Sequence, residues 1–425
     1  MPPRVNLVRR VAAITQAPKS ASRGCSIRRR TELAIDRRPS PVRGFNATEF
    51  ETRTVIAQGM MDRFALSALF LSTEPEVRYY SGLHTPFWQS PTRPWFLLIP
   101  RQGKPIAVIP GIGAACMAAT WVEDVRTWPA PRPDDDGVTL LAEALNEVAG
   151  ADGRIGTPMG HETHVRMPAA DFDRLRALVG ADRFVDATGI VRAQRMVKSE
   201  AEIEKIAHVC ALASDSFEAL PGFVQIGDTE RQAFAKMRID LLQRGVDDVP
   251  YLVGGSGPGG IAGVIEHPTN RVLSSGEVLM LDTGAVFDGY FCDFDRNFAL
   301  GFASDDIRRA YDVLHSATEA GMEAAVPGAR SADLFQAMSS VLIANGASEG
   351  DVGRLGHGLG MQLTEWPSHA RFDKTVLKVG MVVTIEPGMG FGDGKTMVHE
   401  ENVVIRENGA ELLTRRAPAE LPVID

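Results

Sequence analysis

The sequence predicts an α+β protein of two domains, the second made of two related halves about a pseudo-two-fold axis. Three observations predict it. A chain of 425 residues exceeds one ordinary domain. Strand and helix patterns alternate up to about residue 190, and a capping-box helix start then marks a join. Beyond the join, one strand pattern occurs twice, each copy carrying an acid at the same place. The 44% hydrophobic and 23% charged residues are the balance of a folded globular chain. No apolar run reaches the ~18 residues needed to span a bilayer, so a transmembrane protein is excluded.

Residues 1–44 carry eleven Lys/Arg against Glu32 and Asp36, a net of +9, with no sustained period. They are expected to form a disordered extension, either a targeting segment rich in Arg and Ser or the product of an upstream start. The remainder carries a net of −18. That acidic body argues against a nucleic acid partner, because phosphate binding needs clustered positive charge. Cys25, Cys116, Cys210 and Cys292 lie far apart, as expected of reduced cysteines in a cytoplasmic protein.

The first domain spans 45–192. Apolar spacing predicts a helix over 49–63 and a buried strand over 66–71. Further strands are predicted over 77–80, 95–99 and, after a turn at Gly103, 105–109. A helix over 140–148 and a strand opening at 154 complete this α/β unit. The second domain spans 193–425. Ser199 and Glu202 form a capping-box pattern ahead of Ile203, Ile206, Val209 and Cys210 at helical spacing. Amphipathic helices are predicted over 229–244, 305–325 and 331–345. The run Gly254-Gly255-Ser256-Gly257-Pro258-Gly259-Gly260 lacks the Lys-Ser/Thr ending of a phosphate loop, so nucleotide binding is rejected and a flexible pocket lining is expected.

The duplication carries the chemistry. Gly276-Glu277-Val278-Leu279-Met280-Leu281-Asp282 matches Gly380-Met381-Val382-Val383-Thr384-Ile385-Glu386, with an acid six residues after each glycine. A second acid follows beyond a turn in each copy, Asp293 and Glu400. Alternation puts Asp282 on the face of Val278 and Met280, into the interior. Four uncompensated carboxylates there would each cost several kcal/mol (roughly) in desolvation and repulsion, and bound cations are the simplest remedy. Oxygen donors with one imidazole suit Mn, Fe, Co or Zn. Two cations ~3.5–4 Å apart would clamp a water and lower its pKa.

The run Asp282-Thr283-Gly284, with Gly289-Tyr290 and Asp293-Phe294-Asp295-Arg296 after it, resembles the signature of the pita-bread metallopeptidases. So do Gly356-His357-Gly358-Leu359-Gly360, Ile385-Glu386-Pro387-Gly388 and Glu400-Glu401-Asn402-Val403-Val404. This family includes methionine aminopeptidase, aminopeptidase P, prolidase and the metal-free creatinase, and the likeness covers about 197–415. It implies a catalytic pita-bread domain behind a creatinase-like N-terminal domain. It further implies two divalent ions, manganese first, held by Asp282, Asp293, His357, Glu386 and Glu400, with Asp293 and Glu400 bridging. Glu386 would relay a proton and His267 would bind substrate or shuttle protons, while Arg296 would support a ligand carboxylate. The N-terminal likeness rests on Glu76-Val77-Arg78-Tyr79-Tyr80-Ser81-Gly82. After it, Trp88, Arg93 and Trp95 lie in a loop expected to cap a substrate, in the family often that of a neighbouring subunit, which implies a homodimer.

One position departs from the pattern. Proline-directed members carry a second histidine seven residues after the ligand histidine, and here that residue is Thr364, within Leu363-Thr364-Glu365-Trp366-Pro367. Threonine can donate to an oxyanion but does not titrate near neutral pH. Proton donation to a leaving amine then falls to Glu365, His369, His267 or water, with Trp366 and His369 expected at the substrate. The expected activity is Xaa-Pro dipeptidase or aminopeptidase P-like hydrolysis of a small or dipeptide substrate. The alternatives are a dimethylsulfoniopropionate lyase-like enzyme using Asp295 or Glu365 as base, an amide hydrolase for an ectoine- or creatine-like compound, and a non-catalytic binding module.

Overall fold

The structure, a computed structural model, describes residues 39–90, 93–347, 353–391 and 394–425. Most of the expected basic extension lies outside the described residues. Its last residues do not: Arg43 donates to both carboxylate oxygens of Asp247 (2.7 and 2.6 Å), and the Gly44 N–H donates to Asp288 (2.7 Å). Packing against the body therefore includes residues before Phe45, because Asp247 and Asp288 supply partners that the local sequence does not announce.

The N-terminal region contains the helices α1 (Ala47–Arg63), α2 (Glu74–Ser81), α3 (Ala114–Ala118), α4 (Val138–Ala149), α5 (Ala169–Val179) and α6 (Thr188–Met196). Its strands are β1 (Ala68–Leu71), β2 (Phe96–Pro100), β3 (Ile106–Pro110), β4 (Asp124–Trp128), β5 (Ile155–Thr157) and β6 (Phe184–Asp186). Among the described residues they form one sheet in the order β4-β3-β2-β1-β5-β6. Side-chain alternation divides the sheet residues between two cores. Leu69, Leu71, Leu97, Ile99, Ala107 and Ile109 enter one cluster, and Ala68, Phe70, Phe96, Leu98, Ile106 and Val108 the other. Both faces are covered, which explains why these strands read as continuous apolar runs. The strand predicted over 77–80 is instead part of α2. The Glu76 carboxylate accepts from the Thr73 N–H (3.4 Å) and Pro75 occupies the first turn, a helix start that outweighs the β propensity of Val77, Tyr79 and Tyr80.

The C-terminal region opens with α7 (Glu200–Ala219), whose N-cap Ser199 and Glu202 form the predicted capping box, and α8 (Glu230–Arg244). The strands β7 (Asp248–Pro258), β8 (Glu277–Phe287), β9 (Tyr290–Phe291) and β10 (Phe294–Leu300) follow. The second half repeats the plan with α9 (Asp305–Ala324) and α10 (Ser331–Ala344). After them come β11 (His357–Gly358), β12 (Glu365–Ser368), β13 (Val382–Ile385), β14 (Gly388–Phe391), β15 (Lys395–Val398), β16 (Glu401–Arg406) and β17 (Gly409–Leu412). A final strand, β18 (Val423–Ile424), returns to pair with β10. The two sheets run β18-β10-β8-β7 and β12-β11-β13-β16-β17. Their repeated glycines, Gly276 and Gly380, share a left-handed backbone at φ +85° and +87°, a conformation that favours glycine at the turn into each acid strand.

On β8, Leu279 and Leu281 pack with α7 and α8, while Val278 joins the core of the second half. Asp282 lies on the Val278 face and so is directed at the junction of the halves. Gly254 to Pro258 belong to β7 and pair with β8 as far as Glu277, so this part of the glycine run is sheet and not flexible lining. A Cβ on Gly254 would stand 2.3 Å from the Met280 carbonyl oxygen, so the close strand approach requires the glycine. Among the described residues no helix is long and apolar enough to cross a membrane. Cys210 and Cys292 are buried, Cys116 is exposed, and all three are free thiols.

Candidate metal centre

The duplicated strands deliver their acids to one place. Asp282 lies within β8, Asp293 immediately before β10, Glu386 immediately after β13 and Glu400 immediately before β16. Ligand atoms of Asp293, His357 and Glu400 lie within 4.8 Å of one another, and all three residues are buried. His357 Nε2 stands 3.4 Å from Asp293 and 3.8 Å from Glu386. Glu386 keeps 30% of its side-chain surface exposed and so opens to solvent.

Backbone clamps hold these groups. Asn402 accepts from the Asp293 N–H (2.9 Å) and donates to the Asp293 carbonyl, tying the acid turn of the first half to the strand after Glu400. Arg296 donates to the carbonyls of Asp295 (2.7 Å) and Glu400 (2.8 Å) and pairs with Glu401 (2.9 Å). It therefore steadies the main chain of two acids and does not pair with a ligand carboxylate as expected. The Glu386 N–H donates to the Leu355 carbonyl (3.1 Å), fixing Glu386 beside the His357 segment.

The electrostatics suit a cation. Burial and then repulsion from Glu386 raise the Asp282 carboxyl to about 7. Burial also raises Glu386 to about 7, against an opposing pull from Arg354. Asp293 and Glu400 are pushed well above the usual carboxylate range by burial and by the neighbouring acids. Burial drops His357 to about 3, leaving it neutral. Its Nδ1 lies 2.9 Å from the Gly358 carbonyl, which can only accept, so Nδ1 carries the hydrogen and the Nε2 lone pair faces the acids. Asp282 Oδ1 and Glu400 Oε1 are buried with no hydrogen-bond partner. A neutral imidazole, clustered oxygens and orphaned lone pairs are the donor set of a divalent metal.

Other expected site residues fall elsewhere. Thr364 is exposed and its hydroxyl lies 3.4 Å from Arg354 Nη2. His267 is exposed in the segment between β7 and β8, without a hydrogen bond or ion pair among the described residues. Glu230 braces that segment, accepting from Ser256 and Thr269 at 2.7–2.8 Å. Three expected substrate contacts are packed away. Trp88 is 5% exposed, beside Trp95 and under Arg166, which donates to the Trp88 carbonyl (2.7 Å). Trp366 is covered by Arg192 at 4.4 Å from its ring centre. His369 is fully buried against Ser331 Oγ (2.7 Å) and pushed down to about 4 by burial. Arg93 has Nε and Nη1 buried without partners, in the N-terminal region.

Glu365 is not available as a base. It sits between Arg195 (2.5 Å) and Lys198 (3.2 Å), whose charges outweigh the burial and hold its carboxyl at about 2.

Sequence reasoning missed Tyr251, whose phenol acts on the Asp282 carboxyl to lower it and is itself pushed above the ordinary phenol range by burial. It also missed Arg354, whose charge pulls down Asp293, Glu386 and His357 and which has no carboxylate within ion-pair distance among the described residues. Arg354 stands three residues before His357, the only signal the sequence held.

The chain matches two family patterns, Metallopeptidase family M24 over residues 204–407 and Creatinase/Prolidase N-terminal domain over residues 56–197. It is 27% identical over 384 residues to a probable dipeptidase PepE of Mycobacterium tuberculosis, covering 90% of this chain and 98% of that one. An Xaa-Pro dipeptidase of Pyrococcus furiosus is 29% identical over 232 residues, 53% of this chain and 65% of that one. The crystal structure of dipeptidase PepE from Mycobacterium ulcerans superposes with a TM-score of 0.79 at 29% identity, covering 90% and 99% of the two chains.

Proposed function

The chain belongs to metallopeptidase family M24 and is a metal-dependent hydrolase, and from that premise we propose that it cleaves the amide bond of a dipeptide or of an N-terminal Xaa-Pro unit. The observation that carries the reading is the convergence of buried, unpaired acids on the free Nε2 of His357. Asp282, Asp293, His357, Glu386 and Glu400 are assigned as ligands of two divalent cations, manganese first, with Co, Zn and Fe as alternatives. When bound, the cations polarise the scissile carbonyl and lower the pKa of water beside it.

The chain's own groups do the rest. Glu386, open to solvent, takes a proton from the attacking water and passes it toward the leaving amine. Thr364 and Arg354 supply donors to the developing oxyanion or to the substrate carboxylate. His267 is assigned to substrate from an exposed loop. A nearby cleft of about 630 Å³ between the two regions is lined by Arg78, His84, Phe291, Met361 and Leu363, a size suited to a small ligand. Leu363 lies against Gly284, two residues beyond Asp282. We assign a cytoplasmic homodimer that binds no nucleic acid.

The pairing of Glu365 with Arg195 and Lys198 counts against the lyase alternative, which needs Glu365 or Asp295 as base. The deciding experiment incubates manganese-loaded protein with Xaa-Pro dipeptides, other dipeptides, dimethylsulfoniopropionate and ectoine, and identifies the products. Release of free amino acids is expected. Exclusive release of dimethyl sulfide, or of an ectoine hydrolysis product, would overturn the dipeptide reading.

A further inference from the structure

We propose that Asp295 is a further carboxylate of the metal centre, a donor outside the five assigned ligands; the inference rests on the metal reading above. In the antiparallel ladder of β8 and β10, Asp295 is the direct partner of Asp282. Directly opposed residues project from the same face, with Cβ atoms ~4.5–5.5 Å apart. Asp293, two residues before Asp295, falls on that face by the period of the strand. In the second half the ladder of β13 and β16 runs from Val382 opposite Val404 to Ile385 opposite Glu401. Continued by one residue, it joins Glu386 to Glu400. The corresponding rungs of the two halves are therefore Asp282 with Asp295 and Glu386 with Glu400, and Asp293 is the added acid.

The carboxylate itself is half committed. Asp295 is 1% exposed, and its Oδ2 accepts from Asn297 Nδ2 at 2.8 Å. Asn297 Nδ2 also donates to the Val398 carbonyl (2.7 Å), two residues before Glu400, which fixes the orientation of the pair. Asp295 Oδ1 is buried with no hydrogen-bond partner. The adjacent Arg296 does not neutralise it, since that guanidinium is spent on three carbonyls and Glu401. Buried side-chain oxygens with a purely structural role mostly have a hydrogen-bond partner.

The test is titration of the metal-free full chain with Mn²⁺, with metal analysis and thermal unfolding, for wild type, Asp295→Asn, Asp295→Thr and, as reference, Asp293→Asn. Asp295→Asn is expected to weaken Mn²⁺ at one site about 10–100-fold. It should also raise the metal-free Tm, because one of several crowded like charges is removed, and shrink the rise that Mn²⁺ gives. Unchanged Mn²⁺ affinity and stoichiometry in both Asp295 variants, with Mn²⁺ lost in Asp293→Asn, overturns the proposal and leaves the ligand assignment standing. A lowered metal-free Tm with unchanged Mn²⁺ affinity overturns it too, marking a purely structural carboxylate. Should Asp295→Asn not fold, Asp295→Thr carries the same readings. Retention of Mn²⁺ by Asp293→Asn overturns the ligand assignment itself.

Discussion

Two groups of buried acid in this protein have opposite fates. Glu365 is fully enclosed, yet Arg195, Lys198 and the Gln362 N–H surround it and its carboxyl is held at about 2. Asp282, half-buried in the other strand system with its Oδ1 fully covered, meets other acids instead and rises to about 7. Burial is the largest influence on both and pushes both upward; the partners decide the outcome. The chain completes the first site from its own residues. It leaves the second for a cation from outside, with Arg354 the nearby positive charge. The first ties the last turn of α6 to the strand after Thr364, and the second carries the chemistry.

The sharpest way to break the comparison is to remove one member of each site. Asp293→Ala is expected to lose metal and to lower kcat/KM at least about 10³-fold, the scale of a lost centre of charge stabilisation, while the chain stays folded. Metal analysis and dipeptide assays check it, and full turnover by the metal-free variant would sink the metal reading. Arg195→Ala should do the reverse. It leaves a buried carboxylate short of a partner, at a cost of about 3–5 kcal/mol in urea unfolding, with Mn²⁺ stoichiometry unchanged. A stable Arg195→Ala protein that has lost metal would erase the distinction between the two sites.

The ligands and the tie differ in how far the sequence announced them. The repeated glycine and acid spacing pointed to Asp282 and Glu386 as equivalent positions of a duplicated strand, and the acid beyond each turn pointed to Asp293 and Glu400, which the fold brings together with His357. The Glu365 tie was not legible. Its cations lie 170 and 167 residues away in sequence, and no local pattern says that α6 ends against β12. Trp88 and Trp366 share a related ambiguity: an aromatic beside arginine suits a ligand cage equally well as a packed core, and here Arg166 and Arg192 lie over the two rings. Val77 to Tyr80 had helix signals in Thr73, Pro75 and Glu76, but they stand outside the apolar run itself.

The pH response sharpens the comparison. Asp282 and Glu386 have folded-state pKa values of about 7, above their ordinary values of 3.8 and 4.5. Between those limits the native metal-free protein binds more protons than the unfolded chain, so stability is full below about pH 4 for these groups and falls as pH rises through about 7. Glu365 runs the other way: its contribution is present above about pH 4.5 and is lost as pH falls toward about 2. Thermal unfolding of metal-free protein should therefore show declining stability from pH 5 to 8, and saturating Mn²⁺ should flatten that decline. Equal slopes with and without Mn²⁺ would mean that the acids of the centre find their charge partners within the chain.

The smallest effect concerns Arg354, the cation that the chain does place beside its unpaired acids. Its Nη2 approaches Thr364, and no carboxylate lies within ion-pair distance among the described residues. If the charge served only to relieve the acids, Arg354→Ala would leave Mn²⁺ binding no weaker and would raise Asp293 and Glu386 slightly. A guanidinium that meets the substrate carboxylate predicts something more selective. A charge-assisted hydrogen bond is worth about 1.5–3 kcal/mol, so Arg354→Ala should raise KM for dipeptides about 10-fold or more. C-terminally amidated dipeptides, which lack that carboxylate, should be cleaved equally by wild type and variant. Equal losses on free and amidated substrates would assign Arg354 to the oxyanion instead, since that group is common to both. Lys at this position should recover only part of the affinity, because an ammonium cannot reproduce the two-pronged geometry of the guanidinium.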